Sequence, residues 1–146
     1  MSHFTEVKTV FKDQQALVAA LETCFGKGNV EVALEGAALF GYHGDDRSKL
    51  EASNPNYAPS CNVIVRRAVL GSSSNDIGYR RGADGMFRAY VSDFDRTAQR
   101  EKLAALNQRY ATVAATNAAR KQGYTVKEEA AKDGTVRLTL SKWGGE

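Results

Sequence analysis

Apolar and polar side chains alternate along some stretches of this chain and recur every third or fourth position along others. The opening "FTEVKTVF" alternates Phe4, Glu6 and Lys8 with Thr5, Val7 and Thr9 before Phe11, a period of two that predicts a strand. Asp13 then supplies a cap for a helix running to about Phe25. Leu17, Leu21, Cys24 and Phe25 fall on one stripe of it, and Gly26 gives the stop. "VEVALEGAALFGY" predicts a second extended segment. "CNVIVRRAVL" is a continuous run of the kind that forms a central strand covered on both faces. Between them, "DDRSKLEASNPNYAPS" holds both prolines and is expected to be a loop, and residues 72–75 form a further turn cluster.

Two Asp-Gly bends set the register of two hairpins. Each admits a two-residue turn, or a three-residue loop with glycine in the left-handed position. In "DIGYRRGADGMFRAYV" the shorter turn sets Tyr79 opposite Tyr90, Arg81 opposite Arg88 and Ile77 opposite Ser92, which mixes apolar and charged groups on each face. A three-residue loop, Ala83-Asp84-Gly85, sets Ile77 against Val91 and Tyr79 against Ala89, with Phe87 beside them. Arg80, Arg88 and Tyr90 then share the opposite face. In "YTVKEEAAKDGTVRLTL" the loop Lys132-Asp133-Gly134 sets Val126 against Leu140, Glu128 against Leu138 and Ala130 against Val136, with Glu129 facing Arg137 outside. A slip of one residue exchanges the two faces, so the cleaner segregation selects the three-residue loops.

Between the hairpins, "TAQREKLAALNQRYATVAATNAARKQG" has the period of a long helix. Its inner stripe is Leu103, Leu106, Tyr110, Val113, Ala114, Asn117 and Ala118, and Gly123 ends it. At 1.5 Å per residue it spans about 40 Å, enough to cross a sheet. The order strand, helix, strands, helix, hairpin predicts an α+β fold: a mainly antiparallel sheet with two helices packed on one face. The chain of 146 residues is expected to be a single domain, 1–146, with a loop insertion near 48–60.

Composition changes this picture little. Hydrophobic residues make up 42% and charged residues 25%, which is ordinary for a globular protein. The net charge of +3 is mild, whereas nucleic-acid domains usually carry a stronger, clustered excess. No apolar run reaches the 18 or so residues of a membrane span, and the charged, alternating start does not read as a signal peptide. The two cysteines lie outside any CxxC spacing, so neither a disulfide framework nor a zinc site is expected. A cytoplasmic or equivalent reducing compartment, such as a plastid stroma or a phage-infected cell, fits.

The opening "MSHFT", the loop "GYHGDDRSK", "NDIGYRRGADGMFRAYVSDF", "LNQRYA" and "KQGYTVKEEAAKDGTVRLTLSKW" occur in that order. In this the chain resembles a conserved family of uncharacterised proteins from cyanobacteria, algal plastids, other prokaryotes and phages. The likeness runs over nearly the whole chain apart from roughly residues 50–60, which read as an insertion. Where the family often has an aromatic segment after the first hairpin, "SDFDR" stands here. The resemblance implies a fold and a compartment, and no activity.

The nine residues 41–49, "GYHGDDRSK", are the most polar candidate. A metal site would draw on His43, Asp45 and Asp46, but the only other histidine is His3. A phosphate loop would need Gly-Lys-Ser/Thr and a following helix. A turn held by its own side chains fits better: an Asp bonded to the loop backbone and Arg47 tied to a carboxylate. Tyr42 and Arg47 remain candidate binding residues. Cys24 and Cys61 sit in apolar patterns and read as inert core. No catalytic residue, metal or cofactor is expected. The face carrying Arg80, Arg88 and Tyr90 is the other candidate, since arginines and an aromatic on an open sheet suit an acidic peptide or a single-stranded nucleic acid. The expectation is a small non-enzymatic accessory module that binds an unknown protein partner through an exposed sheet face or edge. RNA or single-stranded DNA is the alternative, and an enzyme built on residues 41–49 ranks last.

Overall fold

The computed structural model describes residues 4–133 and 135–142, and for residues 5–10 the backbone alone. The expectations placed on His3, Gly134 and the side-chain alternation of residues 5–10 lie outside what is described. Strand β1 (Phe4–Phe11) leads into helix α1 (Gln14–Phe25), where Asp13 Oδ1 accepts the Ala16 N–H at 3.1 Å and caps the first turn. Gly26 ends the helix at φ +106, a conformation glycine adopts without a Cβ clash. Strands β2 (Val30–Ala37), β3 (Cys61–Val65), β4 (Ile77–Arg81) and β5 (Phe87–Ser92) join β1 in one antiparallel sheet of order β1-β5-β4-β3-β2. The sheet is thus edged by β1 on one side and β2 on the other.

The hairpin register is the three-residue one. Tyr79 faces Ala89 and Arg80 faces Arg88, and the Gly82 N–H closes on the Met86 carbonyl at 2.8 Å with Gly85 at φ +80. Phe87 is buried and Arg88 is not. Strands β6 (Tyr124–Ala130) and β7 (Val136–Lys142) form the second hairpin, a separate two-stranded sheet. Val126 faces Leu140, Glu128 faces Leu138, Glu129 faces Arg137 and Ala130 faces Val136.

Leu17, Leu21, Val63, Val65, Ile77, Tyr79, Phe87 and Leu106 form the main core between the sheet and its helical cover. Helix α4 (Arg100–Lys121) lies beside α1 there. Its Tyr110 hydroxyl accepts the N–H groups of Lys12 and Asp13 at 2.7 and 3.0 Å, which ties α4 to the turn that starts α1. The opposite face is not bare. Leu39 and Ala58, from the long connection between β2 and β3, pack there on Phe4, Cys61 and Ile64 in a second cluster.

Three expectations are corrected. "CNVIVRRAVL" is not one strand: β3 stops at Val65, and Arg67–Leu70 forms the helical turn α2. The cause is Asp76, whose Oδ1 accepts the Arg67 N–H at 2.7 Å while Oδ2 pairs with Arg66 Nη1 at 2.8 Å, drawing the chain out of the sheet. The long helix begins at Arg100 rather than Thr97, and a separate short helix precedes it. Helix α3 (Asp93–Ala98) is capped by Ser92, and the chain bends at Gln99 before α4 begins. Within α4, Ala118 is exposed and Ala119 buried, and Thr112 is buried as well.

Candidate binding site

The connection between β2 and β3 is built from glycines and short polar residues that bond their own backbone. The Gly41 N–H donates to the Asp45 carbonyl at 2.9 Å and the Gly44 N–H to the Gly41 carbonyl at 2.7 Å, with Gly44 at φ +79. Asp46 Oδ1 accepts both the N–H and the hydroxyl of Ser48, at 2.9 and 2.6 Å. The Ser48 hydroxyl chiefly holds the Asp46 carboxyl below its usual range. This starts a 3-10 turn, Arg47–Lys49. Arg47 is pinned at both backbone ends, its N–H on the Leu39 carbonyl and its own carbonyl under the Ala58 N–H.

The Arg47 side chain is buried although it is charged, at 7% exposure. Its guanidinium lies over Gly41, where an added Cβ would come within 2.3 Å of Nε, so a larger residue there would displace the Arg47 side chain. Nε stands 3.0 Å from Asp45 Oδ2, an ion pair in which the N–H is not directed at the oxygen. Arg47 lines a cavity of about 310 Å³ together with Tyr42, His43, Asp45, Leu50 and Asn54. The Tyr42 and His43 rings pack at 3.9 Å between centroids, tilted by 38°. Of the two candidate groups, the structure brings Tyr42 and Arg47 together.

A polar junction that sequence reasoning did not single out holds this cavity in place. Asn75, Asp76, Ser92 and Asp95 are all essentially excluded from solvent. Asn75 Oδ1 accepts the Tyr42 N–H at 2.9 Å, and Arg67 Nη2 donates to the Tyr42 carbonyl at 2.9 Å. Asp95 Oδ2 accepts from the Asn75 N–H and from the Ser92 hydroxyl at 2.9 and 2.6 Å. Asp76 Oδ2 accepts the Phe40 N–H at 2.8 Å. Most buried polar groups in proteins are bonded, and here the bonds link the loop, α2 and α3 into one unit, with Asp95 Oδ1 left without a partner. The signal was present: Ser92-x-x-Asp95 has the spacing of a capping box.

The second candidate group sits elsewhere. Arg80 is exposed and its Nη1 reaches the Ser60 carbonyl at 3.5 Å. Arg88 is half-buried and paired to Asp84 at 3.1 Å. Tyr90 packs against the second core cluster, and Gly78 is buried under Leu39 and the Cys61 sulfur, each within 3 Å of where a Cβ would be. The face expected to be open is thus partly roofed by the long connection.

A family model described as "Protein of unknown function (DUF1257)" matches residues 36–139. The chain belongs to this family. No curated protein and no solved structure matches it. The matched DUF1257 span contains the Arg47 cavity, the polar junction and the arginine face, and begins inside β2. Among the described residues of this DUF1257 chain, no group of three or more His, Cys, Asp or Glu side chains could hold a metal ion, and no helix is long and apolar enough to cross a membrane.

Among the described residues, the edge strand β2 carries the most exposed large apolar side chain. Leu34 is 81% exposed and Val32 44%. Gly36, at φ +90, bulges the strand, and Asn62 Nδ2 holds the Ala33 and Leu34 carbonyls at 3.1 and 3.2 Å in place of regular pairing with β3.

Proposed function

We propose that this protein is a small, non-enzymatic binding module that takes an extended segment of another protein along the open edge of β2. The observation that carries this reading is Leu34, a large apolar side chain left almost wholly in water on a strand whose outer side meets no other strand among the described residues. An unpaired strand edge is a template for β-augmentation, in which main-chain bonds give affinity and side-chain contacts give specificity. The partial roof over the arginine face favours the edge over that face. A second copy of the chain fits less well. The antiparallel register that would set Val32 against Leu34 also sets Glu31 against Glu35, and like charges directly opposite are unfavourable.

The test is recovery of partners by tagged protein from a lysate of the native host. Leu34→Asp is expected to lose a specific partner that wild type retains, while Arg88→Glu and Tyr90→Ala retain it. Recovery unaffected by Leu34→Asp but lost with the latter two would move the contact to the arginine face. A nucleic-acid ligand on that face would instead show salt-sensitive anisotropy titrations. That alternative has less support, because Tyr90, its stacking platform, is packed against the core.

A further inference from the structure

We infer that the cavity beside Arg47 is a binding site for a small organic carboxylate, an inference independent of the strand edge. A guanidinium has five N–H donors, and burying it without acceptors is costly. Arg47 is more than nine-tenths buried, yet among the described residues its side chain meets one carboxylate, Asp45, through Nε and without a directed bond. The two terminal nitrogens donate to no described residue, and Arg47 lines the cavity. The guanidinium fork matches a carboxylate or a phosphate with two parallel hydrogen bonds.

Charge and shape select the carboxylate. Asp45 already offsets the charge of Arg47, so the site has little left to hold a phosphate monoester of nearly two negative charges beside a fixed carboxylate. A carboxylate carries one. Leu50 and the Tyr42 ring give the cavity an apolar wall that suits an aryl or alkyl group, and its volume of about 310 Å³ admits a molecule the size of a substituted benzoate. Asn54 adds a polar group; its Oδ1 already accepts the Asn56 N–H at 2.8 Å, which leaves its amide NH₂ as a donor. Tyr42 and Arg47 are held by backbone bonds to Asn75, Arg67 and Leu39, so the site is preorganised before a ligand arrives.

The probe is benzoate, titrated into the full chain and followed by amide chemical shifts. Saturable shifts confined to residues 41–56 are expected, with phenyl phosphate weaker and benzyl alcohol silent. Arg47→Gln is expected to weaken binding about tenfold or more, the loss of a charge-assisted pair. Because Arg47 is buried, that variant can fail to fold, so Asp45→Asn on the exposed rim gives the second reading. It removes the competing carboxylate and is expected to tighten benzoate severalfold. No saturable shift in wild type, equal shifts with benzyl alcohol, tighter binding of phenyl phosphate, or weaker binding by Asp45→Asn would each overturn the assignment.

Discussion

Cys61 lies wholly out of solvent between Leu39 and Ile64, and burial pushes its thiol up to about 12, with Arg80 and Arg66 pulling weakly the other way. The folded protein therefore keeps a proton that the unfolded chain releases near the ordinary value of 9.0. Below that value both states are protonated and stability is complete. Above it, stability falls as pH rises toward about 12, by at most about 1.4 kcal/mol per pH unit for this group. Burial moves the Tyr79 hydroxyl in the same direction, and it raises Cys24 too. Urea midpoints taken across the alkaline range are expected to fall less steeply for Cys61→Ala than for wild type; parallel curves would assign the loss to other groups. In the native state at neutral pH, Cys61 is expected to resist a thiol reagent that modifies it fully in urea.

Between elements, single atoms make the joints. The Tyr110 hydroxyl accepts two backbone N–H groups from the start of α1, so Tyr110→Phe strands both. It is expected to cost about 1–3 kcal/mol, measured by chemical denaturation. Asp13→Ala removes the cap on the same turn and its contact with Asn117, and is expected to cost about 1 kcal/mol. The two changes share a joint, so the double variant should cost less than the sum. These joints mark the limit of what the sequence makes legible. Hairpin register was readable because Phe87 and Arg88 demand opposite faces, and the α1 cap because Asp13 precedes an apolar stripe. The break after Val65 was not, because it is imposed by Asp76, nine residues beyond Arg67. The bend at Gln99 was hidden inside a segment of uniform helical period. Tyr42 and Arg47 stood out as loop polarity, but their burial and the junction of Asn75, Ser92 and Asp95 arise only when the connection between β2 and β3 folds over the sheet.

At the scale of the molecule, a sheet sandwiched by α1 and α4 on one side and partly roofed by the loop on the other should open last at its centre. Amide exchange is expected to be slowest in β3, β4 and β5, whose core residues are almost fully excluded from water. The β6–β7 hairpin rests on α4 with most of its side chains in water, joined in part by the Arg109–Glu128 pair at 2.8 Å, and should exchange fastest among the strands. Uniform protection of all seven strands would contradict this layering. The strand order has a further consequence. The first and second strands of the chain end up at opposite rims, with β3, β4 and β5 slotted between them. The sheet can be completed only after β5 emerges, so a nascent chain that ends before Phe87 holds β2, β3 and β4 ready to pair while β1 still lacks the strand it pairs with.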